Sequence, residues 1–321
     1  MAHHRDAKTL AVVGDVHGHL QLALCVLAEW QLHLGRPFSA VCLCGDVGTF
    51  SEEEQLDSAT RRHARDNPCE LEFLTQWAVN PQPPWIEAIF RPREAGGLGL
   101  GCPVIMVHGN HEGFAHLEEL VPPGYPERPV TRHELPTVDS GGHILLLPSG
   151  WTVALDDGPT IAAVGGIEPG QRLARYHPMA YIDEDALAHL LGRRTPVDLL
   201  ITHQGPARLQ GEVGSPTLDI VLERPPARPL ARLWCHGHSV RAPAIREEAG
   251  TRVVPLHDVP FGGLGGDEPG ADAWALVELA KPPVVRRETP WFLRTFRRQR
   301  WTETSAGQLV SPTLAYLARG A

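Results

Sequence analysis

Short apolar runs recur along the chain, and most of them are followed directly by glycine or histidine. Runs of this length with apolar residues on both faces are typical of interior strands in a parallel or mixed sheet covered by helices. The runs are Leu10–Val13, Ala40–Cys44, Val104–Val107, Ile144–Leu147, Thr160–Val164, Asp198–Thr202 and Arg232–His236.

Between these runs the apolar residues recur at three- and four-residue spacings, which predicts helices over Leu20–Leu32, Phe114–Leu120 and Glu184–Leu191. Strands that alternate with helices indicate an α/β fold. In such folds the functional side chains lie beyond the carboxyl ends of the strands.

Two stretches interrupt the alternation. Residues 51–100 open with an acidic, helix-prone run and end in proline- and glycine-rich sequence. We expect them to be inserted into a main domain of residues 1–280, either as a helical excursion over the site or as a mobile surface loop. Residues 281–321 are expected to form a basic and aromatic C-terminal extension. It is either an arm that stacks on single-stranded nucleic acid or an amphipathic helix that packs Trp291, Phe292 and Phe296 on the domain.

Composition narrows the class of protein. The 321 residues carry a formal net charge of −9, which argues against a protein that coats duplex DNA by bulk charge. No apolar run approaches the roughly 20 residues that span a bilayer, and the N-terminus has no signal-peptide pattern. We therefore expect a cytoplasmic protein with no membrane partner. The six cysteines form no CxxC pair, so reduced and buried thiols are expected.

Polar motifs rich in histidine stand at the ends of five predicted strands. Turns are satisfied by glycine, asparagine, aspartate and serine, so turn formation alone does not account for histidines in four of the five motifs. The shared placement instead predicts that these side chains converge at one sheet edge. The motifs are Gly14-Asp15-Val16-His17-Gly18, Gly45-Asp46-Val47-Gly48, His108-Gly109-Asn110-His111-Glu112, His203-Gln204-Gly205-Pro206 and His236-Gly237-His238.

Carboxylates and imidazoles without thiolates suit Mn, Fe or Zn, and the number of donors suits two ions. Asp15 and His17 would hold the first ion, and Asp46 would bridge to the second. The remaining ligands would be Asn110, His203 and one histidine of the pair His236 and His238. Two such ions about 3.5–4 Å apart clamp a phosphoryl group and activate a shared water as hydroxide.

His111 directly follows the candidate ligand Asn110, so we expect its side chain at the same site. An imidazole there would protonate the leaving oxygen or stabilise the charge that grows on it. His257 beside Asp258 either supports the ligands or contacts the substrate, or the two residues form an ordinary loop pair, which is the expectation.

The order of these motifs resembles the calcineurin-like metallophosphoesterase superfamily over roughly residues 10 to 280. The resemblance implies a four-layer α/β-β/α sandwich of two mixed sheets flanked by helices, with a dinuclear metal site at the C-terminal strand edge. It assigns the ligand and catalytic roles above to the same residues. Four segments are also similar to the RNA lariat debranching branch: Cys44-Gly45-Asp46, Gly109-Asn110-His111-Glu112, Tyr176-His177-Pro178 and Thr202-His203-x-x-Pro206.

The chain departs from the family pattern at two positions. Many members end in Gly-His-x-His, but here Val240 follows Gly237-His238-Ser239. Either His236 takes over that role, or the first ion has only three protein ligands. The Asp46 motif continues to Thr49 and lacks the arginine with which phosphoprotein and dinucleotide-polyphosphate phosphatases hold phosphate.

The resemblance implies a metal-dependent phosphoesterase with two divalent ions, Mn first and Fe or Zn as alternatives. A phosphodiester in a nucleotide or nucleic acid is the favoured substrate. The alternatives are a phosphomonoesterase that acts on a nucleotide or phosphoprotein, and a non-catalytic scaffold that retains the fold.

Overall fold

The structure is a computed structural model that describes residues 8–156, 158–170, 177–239, 244–260, 269–279, 284–296, 302–303 and 309–310. The strands are β1 (Thr9–Val13), β2 (Ala40–Leu43), β3 (Val104–Met106), β4 (Val130–Thr131), β5 (Ile144–Leu146), β6 (Thr152–Ala154), β7 (Thr160–Val164), β8 (Val197–Thr202), β9 (Ala231–His236), β10 (Arg246–Glu248), β11 (Thr251–Pro255), β12 (Trp274–Glu278), β13 (Val284–Arg287), β14 (Thr302–Glu303) and β15 (Leu309–Val310). The α-helices are α1 (Leu20–Leu34), α2 (Ser58–His63), α3 (Pro84–Phe90), α4 (Phe114–Leu120), α5 (Glu184–Leu191) and α6 (Ala207–Gln210).

Two mixed sheets form the centre of the fold. The first has the strand order β13-β12-β1-β2-β3-β5, and the second has the order β10-β11-β9-β8-β7-β6-β4. The strands β1, β2, β3 and β5 run parallel to one another, as do β7, β8, β9 and β11. Among the described residues, strands β14 and β15 pair with each other and with no other strand. All seven strands predicted from apolar runs are present, with ends that differ by one residue at most.

The strands of the first sheet are buried on both faces because two different cores cover them. In β1, Leu10 and Val12 face the core between the two sheets, where they join Leu199 and Ile201 of β8. The alternate residue Val13 packs against helix α1 on the opposite face. Residues of β7, β8 and β9 likewise face an outer core with α5. Helix, sheet, sheet and helix therefore form four layers, as the sequence predicted.

Helix α1 covers the outer face of the first sheet. Leucine, alanine and valine fill most of its positions, so residues all around its first half are buried. The helix ends at Gly35, whose φ of 64° is in the left-handed region and whose N–H donates to the Leu32 carbonyl. Glycine adopts this conformation without the penalty that a Cβ brings, which accounts for the stop at this residue.

Residues 51–100 are largely helical. Their first part lies at the strand ends, and α3 packs with α1 on the outer face of the first sheet. They contain α2, α3, a π-helical turn at Phe73–Trp77 and 3-10 turns at Glu53–Gln55, Pro68–Leu71 and Arg93–Ala95. A Cβ added to Gly18, in the loop after β1, would lie 2.1 Å from the carbonyl oxygen of Cys69. The inserted segment therefore packs directly on a loop that carries candidate ligands.

The beginning of the C-terminal extension forms a strand, and no α-helix is described around Trp291, Phe292 and Phe296, although Phe292 and Phe296 pack on the domain as one expectation had it. Strand β13 pairs antiparallel with β12, since its two β-branched valines suit a sheet edge. A 3-10 turn at Leu293–Phe296 follows. Phe292 is buried, whereas Trp291 is 75% exposed. Trp301 and residues 297–300 lie outside the described residues, and the division of the chain at residue 280 stays a prediction.

No described helix is long and apolar enough to cross a membrane. The six cysteines all fall within the described residues, and none of them forms a disulfide. Five are buried, in agreement with the expectation of reduced core thiols, and Cys69 is partly exposed.

Candidate metal centre

The carboxyl ends of both sheets meet at one edge of the molecule, and the polar motifs lie there. Asp15 follows β1, Asp46 follows β2 and Asn110 follows β3 in the first sheet. His203 follows β8 and His238 follows β9 in the second. The backbone N–H of His238 donates to Asp15 Oδ1 over 3.0 Å, and this hydrogen bond links the loop after β9 to the loop after β1.

Within the described residues, two groups of side chains are close enough to hold a metal ion. The donor atoms of Asp15, Asp46, His203 and His238 all lie within 4.8 Å of one another. Those of Asp15, His17 and Asp258 do so as well. The sequence predicted five of these six residues as ligands, and the structure brings those five together.

The two groups share Asp15, and the carboxylate of Asp46 in the first group also lies close to His17 of the second. Its Oδ2 is 3.8 Å from His17 Nε2, and its Oδ1 is 3.5 Å from His203 Nε2. Oδ1 also accepts hydrogen bonds from the backbone N–H groups of Asn110 (2.7 Å) and His111 (2.8 Å). The two oxygens therefore face different imidazoles, which is the arrangement that a bridging ligand requires.

Backbone strain is concentrated at this centre. In the described part of the chain, four non-glycine residues have φ in the left-handed region, and three of them are His17, Asp46 and His238. Each such residue costs about 1–3 kcal/mol, so the surrounding contacts must hold it in place. The strain thus marks the positions where the fold fixes the direction of a candidate ligand.

Glu112 holds the strained loop of Asp46. Its buried carboxylate accepts hydrogen bonds from the backbone N–H groups of Val47, Gly48 and Thr49 at 2.9 to 3.0 Å. It also accepts bonds from the Thr49 hydroxyl and from the N–H of Gly109. Burial and the charge of Asp46 raise the pKa of Glu112. The hydrogen bonds from the Thr49 and Val47 backbone lower it, and the net result is a pKa of about 7. One side chain therefore joins the loops after β2 and β3.

Two glycines permit the close approach of the loops. A Cβ on Gly109 would lie 2.0 Å from Asp46 Oδ1, and a Cβ on Gly237 would lie 1.9 Å from Asp15 Oδ1. Neither position has room for a side chain unless the backbone moves. These glycines are therefore part of the geometry of the two carboxylates.

His203 has the tautomer expected of a metal ligand. Its Nδ1 lies 2.9 Å from the carbonyl oxygen of Cys44, so Nδ1 carries the proton and donates it. Burial lowers the pKa of this fully buried ring, which is therefore neutral at pH 7. The lone pair of Nε2 remains, and it lies 2.9 Å from Asn110 Oδ1.

The donor set fits a cation. Three lone-pair atoms, His203 Nε2, Asn110 Oδ1 and Asp46 Oδ1, lie close together with no proton among them. Burial and the charges of Asp46 and Asp258 raise the pKa of Asp15 well above its ordinary value. Burial also acts to raise the pKa of Asp46, but the nearby imidazoles of His203 and His111 lower it. Positive charge at this position would stabilise the centre.

The structure distinguishes the two histidines around Gly237. His238 belongs to the first group, and its ring lies 4.9 Å from that of His203. His236 belongs to neither group: its Nδ1 donates to the Gly237 carbonyl, and its ring lies so close to Gly205 that a Cβ there would be 2.4 Å from it. This placement favours His238 over His236 as the ligand.

His111 is paired with an aspartate that the sequence did not indicate. Its Nδ1 lies 2.9 Å from Asp57 Oδ2. Burial lowers the pKa of His111, but the bond to Asp57 and the charge of Asp46 outweigh it and raise the pKa to about 9. Burial raises the pKa of Asp57, but the bond to His111 and the charge of that ring outweigh burial and lower the pKa to about 2. His111 is therefore protonated at neutral pH.

Sequence reasoning missed Asp57, and it expected Asp258 to form an ordinary loop pair with His257. Asp57 has a local signal only for a helix N-cap, since its Oδ1 accepts from the N–H groups of Ala59 and Thr60 at 2.8 Å. Asp258 follows β11, a strand that the apolar pattern did not reveal. No motif around either residue points to the centre.

Comparison with curated proteins gives no match to this chain. The model of one protein family, described as calcineurin-like phosphoesterase, matches residues 8–242. That range covers more than half of the chain and includes the motifs that carry Asp15, Asp46, Asn110, His203 and His238. The chain therefore belongs to the calcineurin-like phosphoesterase family, which supports its classification as a metal-dependent phosphoester hydrolase.

Proposed function

We propose that this protein hydrolyses phosphodiesters of nucleotides or nucleic acids at the centre described above. The observation that carries the proposal is one juxtaposition of side chains. The neutral imidazole of His203 and the oxygens of Asp46 and Asn110 face one another, and the protonated His111 stands beside them.

In this proposal Asp15 and His17 would hold a first divalent ion, and Asn110, His203 and His238 would hold a second. Asp46 would be shared by both ions. Donors of nitrogen and oxygen without thiolate favour Mn, with Fe or Zn as alternatives. A bound pair of such ions supplies an activated water and positive charge for the phosphoryl oxygens.

The protein's own contribution to bond cleavage comes from His111. Its Nδ1–H donates to Asp57, so the proton on Nε2 is the one that can pass to the leaving oxygen. The two backbone N–H bonds to Asp46 Oδ1 fix the loop of His111 relative to the bridging carboxylate. Proton donor and metal ligand are therefore held on one short segment.

Charge supports a diester over a monoester. The hydrogen bonds and ion pairs that involve the six proposed ligands and His111 include no arginine or lysine among the described residues. The sequence after Asp46, Val47-Gly48-Thr49, also lacks the arginine with which phosphoprotein and dinucleotide-polyphosphate phosphatases hold phosphate. A monoester dianion places one more charge in the site than a diester does, and positive side chains would be expected to balance it.

The test is a comparison of two substrates with the Mn²⁺-loaded protein. We expect kcat/KM for bis-p-nitrophenyl phosphate to exceed that for p-nitrophenyl phosphate, and Asp46→Asn to abolish both activities. The matched control is Asp219→Asn, which also removes one carboxylate but lies on a 3-10 turn away from the centre. A preference for the monoester would overturn the diester assignment. Metal binding without turnover of either ester would indicate the scaffold.

A further inference from the structure

The first metal position has an additional carboxylate beside it. The family motif Gly-His-x-His is incomplete in this chain, because Val240 occupies its last position. The position that holds Asp15 and His17 therefore lacks one of its usual donors. Asp258 is the third member of the group that these two residues form, with donor atoms within 4.8 Å of one another.

The backbone holds Asp258 in this position. Residue 258 lies in the loop directly after β11, which runs parallel to β9 in the second sheet. The N–H of Val259 donates to the carbonyl oxygen of Asp15 over 2.8 Å. A Cβ on Gly14 would lie 2.1 Å from the carbonyl oxygen of His257, so the two loops are in direct contact. The loop after β11 is thus fixed against the loop after β1.

We propose that Asp258 is a ligand of the first metal ion and replaces the histidine that the motif lacks. The inference rests on the proposed two-metal function and assigns a ligand that the motifs do not contain. A carboxylate oxygen suits the same divalent ions as the neighbouring Asp15 and His17.

An ion pair with His257 is the other explanation for this carboxylate, since His257 Nδ1 lies 3.5 Å from Asp258 Oδ1. Both side chains of that pair are about 40% exposed, so the ion pair contributes little to the stability of the fold. A carboxylate has two oxygens and several lone pairs, so the contact with His257 and a bond to a metal ion are compatible. Ligating carboxylates commonly have such an outer partner.

The charge around Asp15 separates the two explanations. The donor atoms of Asp258 and the buried Asp15 lie within 4.8 Å of each other, so in the absence of metal the two negative carboxylates repel each other. A residue present only for loop structure would stabilise the metal-free protein. A ligand is instead expected to destabilise it slightly and to be compensated on metal binding.

The experiment measures metal binding and not activity. Protein freed of metal with a chelator is titrated with MnCl₂ by calorimetry, and bound metal per folded monomer is counted by mass spectrometry after gel filtration. We expect two ions on the parent protein. Asp258→Asn should weaken one of them by about ten- to a hundred-fold and leave the other unchanged.

The matched control is Asp272→Asn. Asp272 is an exposed carboxylate on the segment before β12, and it pairs with Arg287 at 3.7 Å outside both groups of candidate ligands. The Asp272→Asn variant should bind two ions with the affinity of the parent protein. The metal-free Tm of Asp258→Asn should equal or exceed that of the parent, which a structural role would not produce.

Two negative outcomes have different meanings. If the parent binds two ions and Asp258→Asn binds both with parent affinity, Asp258 is not a ligand and the proposed function stands. If the parent binds no Mn²⁺ at all, the two-metal function is wrong and this inference fails with it.

Discussion

His111 Nδ1 and Asp57 Oδ2 are 2.9 Å apart although 54 positions separate the two residues in sequence. Asp57 caps helix α2 with its other oxygen, Oδ1. The inserted segment 51–100 therefore does more than cover the strand ends, because it supplies the carboxylate that holds the candidate proton donor. Asp57 acts through His111 and is a positioning residue.

The substitution Asp57→Asn should lower kcat/KM by roughly 10²-fold. Asparagine caps a helix as well as aspartate does, so α2 and the folded state should remain intact. The neutral asparagine side chain no longer raises the pKa of His111 as the Asp57 carboxylate does. The loss should be larger for a phenyl ester than for a p-nitrophenyl ester, since the poorer leaving group depends more on a proton donor.

Asp183→Asn is the control for that experiment. Asp183 caps α5 with Oδ1 and accepts a bond from the Tyr125 hydroxyl with Oδ2, so it has the same two kinds of contact away from the centre. It should leave kcat/KM unchanged. An equal loss for both leaving groups in Asp57→Asn would argue against proton donation by His111.

Adding one methyl group at Gly109 should disable the centre. The new Cβ would lie 2.0 Å from Asp46 Oδ1, so the loop or the carboxylate must move. A displacement of about 1 Å costs about 10²-fold in rate, and we expect at least that loss in kcat/KM for Gly109→Ala. Gly101→Ala is the matched control, because nothing lies within 4 Å of its added Cβ. Parent-like activity in Gly109→Ala would contradict the described approach of the two loops.

Glu72 should make the free energy of unfolding dependent on pH. Burial raises the pKa of its carboxyl to about 8, although Trp77 Nε1 and the Gln21 N–H both donate to it. The unfolded chain releases this proton near pH 4.5, and the folded chain keeps it until about pH 8. Its contribution to stability is therefore complete below pH 4.5 and is lost as the pH rises to 8, at up to roughly 1.4 kcal/mol per pH unit.

Urea unfolding of metal-free parent and Glu72→Gln between pH 5 and 9 measures this effect. The glutamine oxygen can accept the same two bonds, so the variant should gain stability relative to the parent as the pH rises. Glu94→Gln, at an exposed position, should follow the parent at every pH. A constant difference between Glu72→Gln and the parent would show that the carboxyl titrates normally.

The core strands could be predicted from sequence because each is buried on both faces and has few polar residues. Strands such as β10 were missed for the opposite reason: Arg246-Glu247-Glu248 lies at a sheet edge, where charged side chains reach solvent. Strand β13 was missed because two arginines follow its two valines, so the apolar run is too short to predict a strand. A strand at a sheet edge has a weak apolar pattern in sequence, and its place in the sheet is visible only from its pairing with the neighbouring strand.

The candidate ligands could be predicted where a motif follows a strand directly, since strand order fixes where such residues meet. Asp57 and Asp258 could not, because each lies in a segment whose position depends on packing against distant loops. The choice between His236 and His238 was also open in the sequence. Both flank Gly237, and the three-dimensional fold separates them: His238 lies with Asp15, Asp46 and His203, whereas the ring of His236 lies against Gly205.

The most direct test of the central claim is anomalous diffraction from crystals of this protein grown with MnCl₂, recorded at the manganese edge. The proposed function predicts two peaks about 3.5–4 Å apart, one on each side of the Asp46 carboxylate. The first peak should contact Asp15 and His17, and the second should contact Asn110, His203 and His238. A map with no peak beside Asp46, or with manganese bound only elsewhere, would contradict the proposed function.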